Sequence, residues 1–201
     1  NPNELVKFLN KPSAAFTRPD LLRFVEARGI KLFNFRYVAV DGKLKTLNFV
    51  PSGKAHFESI LTAGERVDGS SLFSFIDSGS SDLYVIPRYR TAFLNPFTPV
   101  PTLEILCSFY NSSGEPLGSA PEYILRKAYS RLRKNTGFMM KAFGELEYYI
   151  KSPHSDLYPL VDQKGYHQPK PFVKFEDLRV EALELCAGAG CRIKYGHSEV
   201  G

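Results

Sequence analysis

The 201 residues are 43% hydrophobic and 23% charged, with 16 Phe, 11 Tyr and no Trp, a balance ordinary for a soluble globular protein of one large domain or two small ones. No apolar run is long enough to span a bilayer, residues 1–10 lack the apolar core of a signal peptide, and the odd set Cys107, Cys186 and Cys191, without CxxC spacing, fits reduced thiols in a cytoplasmic protein. A net charge of +5 raises nucleic acid as a partner, but the densest basic cluster (Arg126, Lys127, Arg131, Arg133, Lys134) reads as the solvated face of a helix, so neither nucleic acid nor membrane is expected.

The first predicted element is a helix over residues 17–29. Thr17-Arg18-Pro19-Asp20 resembles a capping box, and Gly29 is a natural stop. Two runs, Lys31 to Val40 and Lys43 to Val50, flank Asp41-Gly42, a strong hairpin signal because both turn positions tolerate positive φ. A short helix follows, with Phe57, Ile60 and Leu61 on one face. The Ser-rich stretch Gly64 to Ser81 reads as an ordered loop, and strands are expected over 83–87, 91–94 and 103–110. Helices, a hairpin and further strands over residues 1–112 make a small α+β domain with a β-grasp-like sheet.

Asn111 to Ala120 reads as a turn or linker. Beyond it, residues 113–201 form a second domain. Its first helix starts at Pro121, with Ile124, Leu125, Ala128, Tyr129 and Leu132 at helical spacing, and ends at Gly137. A strand is expected over 138–150, a Pro-rich excursion over 151–172, a helix over 175–187 with Phe175, Leu178, Ala182 and Leu185 on one face, and a strand over 192–200. The chain stops after that strand, so the second domain is expected to be incomplete.

Three stretches could carry chemistry. On a strand, Glu145, Glu147 and Tyr149 share one face while Leu146, Tyr148 and Ile150 share the other, which should be core. Two carboxylates about 7 Å apart on one face repel unless a cation lies between them, and oxygen-liganded divalent cations meet that need. An edge strand with its carboxylates in water fits the same pattern. His197 and Glu199 share a face at a strand end, an arrangement suited to metal or phosphate, or simply to a polar surface. Asp68-Gly69-Ser70-Ser71 is a turn whose Asp and Ser can bond neighbouring backbone. There is no GxxxxGK[ST] and no GxGxxG, and Cys186 and Cys191 have no His pair to complete a zinc site.

Taken in order, these motifs resemble glutamine synthetase of the bacterial type I family. The resemblance runs from about residue 17 to the end: VDGSS at 67–71 with Asp82 in SSDLYVIP, TAFLNPF at 91–97, FGELEYYI at 143–150, GYH at 165–167 and GHSEVG at 196–201. It implies a β-grasp-like domain followed by the first part of the catalytic α/β half-barrel. It also implies a glutamate–ammonia ligase of nitrogen metabolism that uses ATP and passes through γ-glutamyl phosphate. Glu145 would bind the Mg²⁺ (or Mn²⁺) held with the nucleotide phosphates, Glu147 and Glu199 a second metal ion, and His197 would lie near the transferring phosphate. Asp68 would serve the ammonium site of a neighbouring subunit, with Ser71 supporting its loop. Partners would be glutamate, ammonia, ATP and further copies in stacked rings. The sequence departs from the family at Gly144 and Leu146, which stand where Pro is common, at Phe75, where Trp is common, and at Ser198, often His. The remaining metal ligands and the phosphate-gripping Arg residues of the family fall outside these 201 residues, so the chain alone is expected to be inactive. A γ-glutamyl-amine ligase and a non-catalytic regulatory relative are the alternatives.

Overall fold

The structure, a computed structural model, describes residues 3–158 and 165–200. The chain divides into two units, Asn1–Met140 and Lys141–Gly201.

The first unit is built on one sheet. Strands β1 (Leu32–Val38), β2 (Leu44–Phe49), β3 (Glu65–Asp68), β4 (Asp82–Pro87) and β6 (Thr102–Asn111) lie in the order β2-β1-β6-β4-β3, and the two-residue β5 (Phe93–Leu94) also pairs with β6. The central β1–β6 pair is parallel and the other pairings are antiparallel, as a β-grasp sheet requires. Asp41-Gly42 forms the expected hairpin turn, with Gly42 at φ 72° and the Asp41 side chain accepting from the Lys43 N–H at 3.1 Å.

Period-two alternation on β1 and β6 sends Phe33, Phe35, Tyr37, Leu103, Ile105, Cys107 and Phe109 to one face, where all are buried. Helices α1 (Glu4–Leu9), α2 (Arg18–Arg28) and α3 (Lys54–Ala63) supply Leu5, Leu21, Phe24, Phe57, Ile60 and Leu61 to the same core. Edge-to-face ring pairs such as Phe33–Phe57 at 4.7 Å and Phe73–Phe109 at 5.0 Å knit it together. The capping box of α2 forms as expected, with the Thr17 N–H donating to Asp20 Oδ2 at 2.7 Å.

The opposite face of the sheet holds a polar network. Glu104, 1% exposed, accepts from Arg36 Nε at 2.6 Å, Asn34 Nδ2 at 2.8 Å and Asn95 Nδ2 at 2.6 Å, and Asn34 in turn accepts from Asn48 Nδ2 at 2.7 Å. The network ties β1, β2 and β6 to the 88–101 arch. Burial pushes the Glu104 carboxyl up, but the bonds from Arg36, Asn34 and Asn95 outweigh it and hold it below its ordinary value.

Helix α4 (Pro121–Thr136) closes the first unit. The sequence expectation starts the second domain just before this helix; at its entry Ala120 is fully buried and Tyr123 packs against the core cluster. Its apolar stripe, including Ile124, Leu125 and Leu132, is exposed. Two expected elements differ from those observed. The 64–81 stretch is not all loop, because β3 pairs with β4 between Gly64 and Gly69; and the expected strand at 91–94 is a 3-10 turn, Tyr89–Thr91, followed by β5.

In the second unit, α5 (Glu176–Gly188) forms as expected, with Glu176 and Asp177 in its first turn. The strands expected over 138–150 and 192–200 do not form among the described residues. A strand exists through its ladder, and alternation alone cannot supply a partner. Leu146, Tyr148 and Ile150, expected in a core, are exposed, Leu146 to 85%. Residues 159–164, inside the expected excursion, and Gly201, at the end of the last motif, lie outside the described residues.

Candidate functional site

Asp68 ends β3, where it faces Asp82 across the pair. Arg66 Nη1 lies 3.2 Å from both Asp82 carboxylate oxygens and offsets the like-charge opposition. The chain then turns sharply through Gly69, whose N–H donates to the Ser81 carbonyl at 2.6 Å. A Cβ at Gly69 would sit 2.7 Å from that carbonyl oxygen and 2.8 Å from Leu83 Cγ, so the close approach admits only glycine. The turn brings the Ser70 N–H (3.0 Å) and Ser70 Oγ (2.7 Å) to Asp68 Oδ1 and Ser71 Oγ (2.7 Å) to Oδ2. The Ser71, Ser70 and Ser81 hydroxyls hold the Asp68 carboxyl far below the usual carboxylate range. It is an exposed carboxylate rich in hydrogen-bond donors, suited to attracting a cation rather than to retaining a proton.

The second unit holds His197 and Glu199. His197 Nδ1 lies 3.0 Å from the Ser198 carbonyl oxygen and 3.9 Å from Glu199 Oε2. The His197 ring sits 4.2 Å from the His167 ring and 5.2 Å from Tyr166, with Tyr195 at 5.8 Å. Arg179 of α5 donates from Nη1 to Ser198 Oγ at 2.9 Å and from Nη2 to Glu176 Oε1 at 3.0 Å. A cavity of about 270 Å³ opens between these groups, lined by His167, Gln168, Glu176, Arg179, Tyr195 and His197 among others. Two imidazoles, a guanidinium and a carboxylate around one cleft can hydrogen-bond a polar or anionic group and exchange protons with it.

Glu145 and Glu147 are exposed on a segment without ladder partners. Among the described residues, no three His, Cys, Asp or Glu side chains gather closely enough to hold a metal ion. The carboxylates named by the resemblance do not come together among the described residues. The sequence names Asp68, Ser71, His197 and Glu199 as candidates; the structure adds Arg179, Gln168 and His167 as neighbours of His197. The signal for Arg179 was its i, i+3 spacing from Glu176 on the predicted helix.

Residues 29–112 match the family described as glutamine synthetase, beta-Grasp domain. A glutamine synthetase of Thermotoga maritima is 25% identical over 183 residues, covering 89% of this chain and 41% of that protein. One of Aquifex aeolicus is 26% identical, over 92% of this chain and 45% of the relative. A 3-hydroxylaminophenol mutase of Cupriavidus pinatubonensis is 27% identical, over 90% and 45%. The cryo-EM structure of Plasmodium falciparum glutamine synthetase superposes with a TM-score of 0.70 at 15% identity, over 94% of this chain and 43% of that one, a likeness of fold that extends beyond the β-grasp domain. The chain is thus homologous to the glutamine synthetase superfamily through its β-grasp domain, and it spans less than half the length of these relatives.

Proposed function

We propose that this chain is the β-grasp-bearing part of a type I glutamine synthetase, an enzyme that ligates ammonia to L-glutamate at the expense of ATP through γ-glutamyl phosphate. The observation that carries the reading is the Asp68 turn within the matched domain. A carboxylate saturated by three serine hydroxyls stays anionic across the physiological range and draws an ammonium ion by charge. A carboxyl this acidic does not keep the proton that ammonium must lose before it attacks an acyl phosphate, so the proton passes on to solvent. Ser70 and Ser71 orient the Asp68 oxygens. Arg179, held beside Ser198, would set its guanidinium, and His197 its imidazole, near a phosphoryl or carboxylate group.

In this reading Glu145, Glu147 and Glu199 each contribute one carboxylate to Mg²⁺ or Mn²⁺ sites, which neutralise phosphate charge when bound. Because the carboxylates do not come together among the described residues, the 201 residues alone should bind these ions poorly and should not make glutamine. The protein would assemble as rings of like subunits, with Asp68 serving a neighbour's site, and work in the cytoplasm. No helix among the described residues is long and apolar enough to cross a membrane.

The kinship with a 3-hydroxylaminophenol mutase keeps a second reading open, an isomerase on the same fold. The test is γ-glutamyl hydroxamate formation from glutamate, hydroxylamine, ATP and Mg²⁺, run on the protein purified from its source and on the 201-residue chain. Product from the former and none from the latter is expected. ATP-independent turnover of 3-hydroxylaminophenol without hydroxamate formation would replace the ligase reading by the mutase.

A further inference from the structure

Ser198 stands between His197 and Glu199, two of the second-unit residues that the proposed function uses, and it bonds in four directions. Its Oγ accepts from Arg179 Nη1 at 2.9 Å and donates to the Gln168 carbonyl at 3.2 Å. Its carbonyl accepts the His167 N–H at 2.9 Å, and His197 Nδ1 approaches the same oxygen at 3.0 Å. Arg179 is itself braced by Glu176 at 3.0 Å, so the guanidinium that reaches Ser198 is fixed on its own helix.

We propose that Ser198 is a positioning residue, whose hydroxyl clamps the 196–199 segment between helix α5 and the 165–168 turn and so aims His197 and Glu199. Backbone held at Ser198 limits the directions open to the His197 and Glu199 side chains on either side of it. Three further observations support the clamp. His167, which closes it from the other side, has φ 58°, a left-handed conformation uncommon for residues other than Gly and kept only where surrounding bonds demand it. Its ring lies 4.2 Å from that of His197, so the two imidazoles are held as a pair. Gly196 packs against Leu183 of α5, where a Cβ would come within 3.0 Å of the Leu183 methyls.

The clamp also fixes which nitrogen of His197 is free. A carbonyl oxygen can only accept, so Nδ1 beside the Ser198 carbonyl carries the proton and Nε2 becomes the accepting nitrogen. The functional meaning of that aim rests on the proposed ligase reading; the clamp itself does not.

The test uses the ¹⁵N-labelled 201-residue chain at one fixed alkaline pH, without nucleotide or metal. Ser198→Ala removes both hydroxyl bonds, and Ser198→Thr keeps the hydroxyl. S198A should speed amide exchange at His167 by about tenfold or more, the effect of losing two ordinary hydrogen bonds. It should also turn the His197 imidazole from the Nδ1–H form to a tautomer mixture, while the imidazoles of His56 and His154 stay unchanged. S198T should restore both signals. Arg179→Gln, which removes one arm of the clamp, should show a smaller acceleration of about threefold and serves if S198A does not fold. Exchange within twofold of wild type with an unchanged His197 tautomer, or failure of S198T to rescue, overturns the proposal. Because no substrate is present, that result leaves the hydroxamate assay untouched, and a failed hydroxamate assay leaves the clamp standing.

Discussion

Replacing Arg36 by Met would strand the Glu104 carboxylate inside the sheet. Glu104 is 1% exposed and Arg36 28%, so the pair sits at the buried end of the range in which removing one partner costs about 3–5 kcal/mol. Asn34 and Asn95 still donate to Glu104 Oε1 in the variant, at 2.8 and 2.6 Å in the parent, and this lowers the expected cost to about 2–3 kcal/mol at neutral pH. The pH dependence should separate this account from a simple packing loss. In the parent the folded Glu104 carboxyl lies below its ordinary 4.5, so its contribution is present above that pH and fades as pH falls through the folded value. In Arg36→Met burial dominates, the folded value rises above the unfolded one, and the variant gains relative stability as pH falls. The gap between the two proteins should therefore narrow steadily from pH 7 to pH 4. Urea unfolding followed by far-UV circular dichroism at several pH values measures it. The companion variant Arg36→Met/Glu104→Met should recover most of the loss, since an apolar pair of similar volume often replaces a buried ion pair at little cost. A loss at pH 7 of under about 0.5 kcal/mol, or a gap that does not change with pH, would refute the reasoning.

Gly69→Ala should cost about 1–3 kcal/mol, because the new methyl meets the Ser81 carbonyl and Leu83 in a place where backbone must shift, and thermal melting checks it. Asp68→Asn should leave the far-UV circular dichroism of the folded protein unchanged yet lower hydroxamate formation by the source protein roughly 100-fold, and no ionisation of Asp68 should appear in the activity profile between about pH 5 and 9. Glu145→Gln and Glu147→Gln should stay within about 0.5 kcal/mol of the parent in stability, since both side chains are exposed, while raising the Mg²⁺ concentration that the source protein needs for half-maximal activity.

The β-grasp domain was legible because its signals are local. Asp41-Gly42 sets the hairpin, Thr17 to Asp20 the start of α2, and the spacing of Phe57, Ile60 and Leu61 the buried side of α3. Helix α1 was missed: six residues give too little periodicity to read, and its stability comes from Leu5 and Leu9 in the core and from Asn3 Oδ1, which accepts the Leu5 N–H at 2.9 Å. Strand β3 was missed because its partner β4 lies across a Ser-rich turn, and Gly64 and Gly69 suggest loop unless the close approach at each is known. The segments 138–150 and 192–200 failed in the opposite direction. Their alternation is strong, but alternation describes how a strand would face and not whether another strand lies beside it. For the candidate site, the acidic and imidazole residues announced themselves by type. The groups that hold them, such as Arg179 and the Gln168 carbonyl, meet them only through a fold that brings residues 168 and 198 together.

The parallel pairing at the centre of the sheet also dictates an order of events during folding. The β1–β2 hairpin can close as soon as Phe49 has been made, but the partner that buries the other side of β1 is β6, and the Asn34–Glu104 bond spans 70 positions. Contacts that distant bear the full entropy of closing the intervening chain before they contribute anything. Until Thr102 to Asn111 is synthesised, Phe33 and Phe35 sit on a two-stranded ribbon of marginal stability. The amides and guanidinium that later surround Glu104 stay in water meanwhile, so the face of β1 opposite Phe33 and Phe35 remains hydrated. The residues that look costly in the finished interior thus act as a solubilising border while the domain is half made.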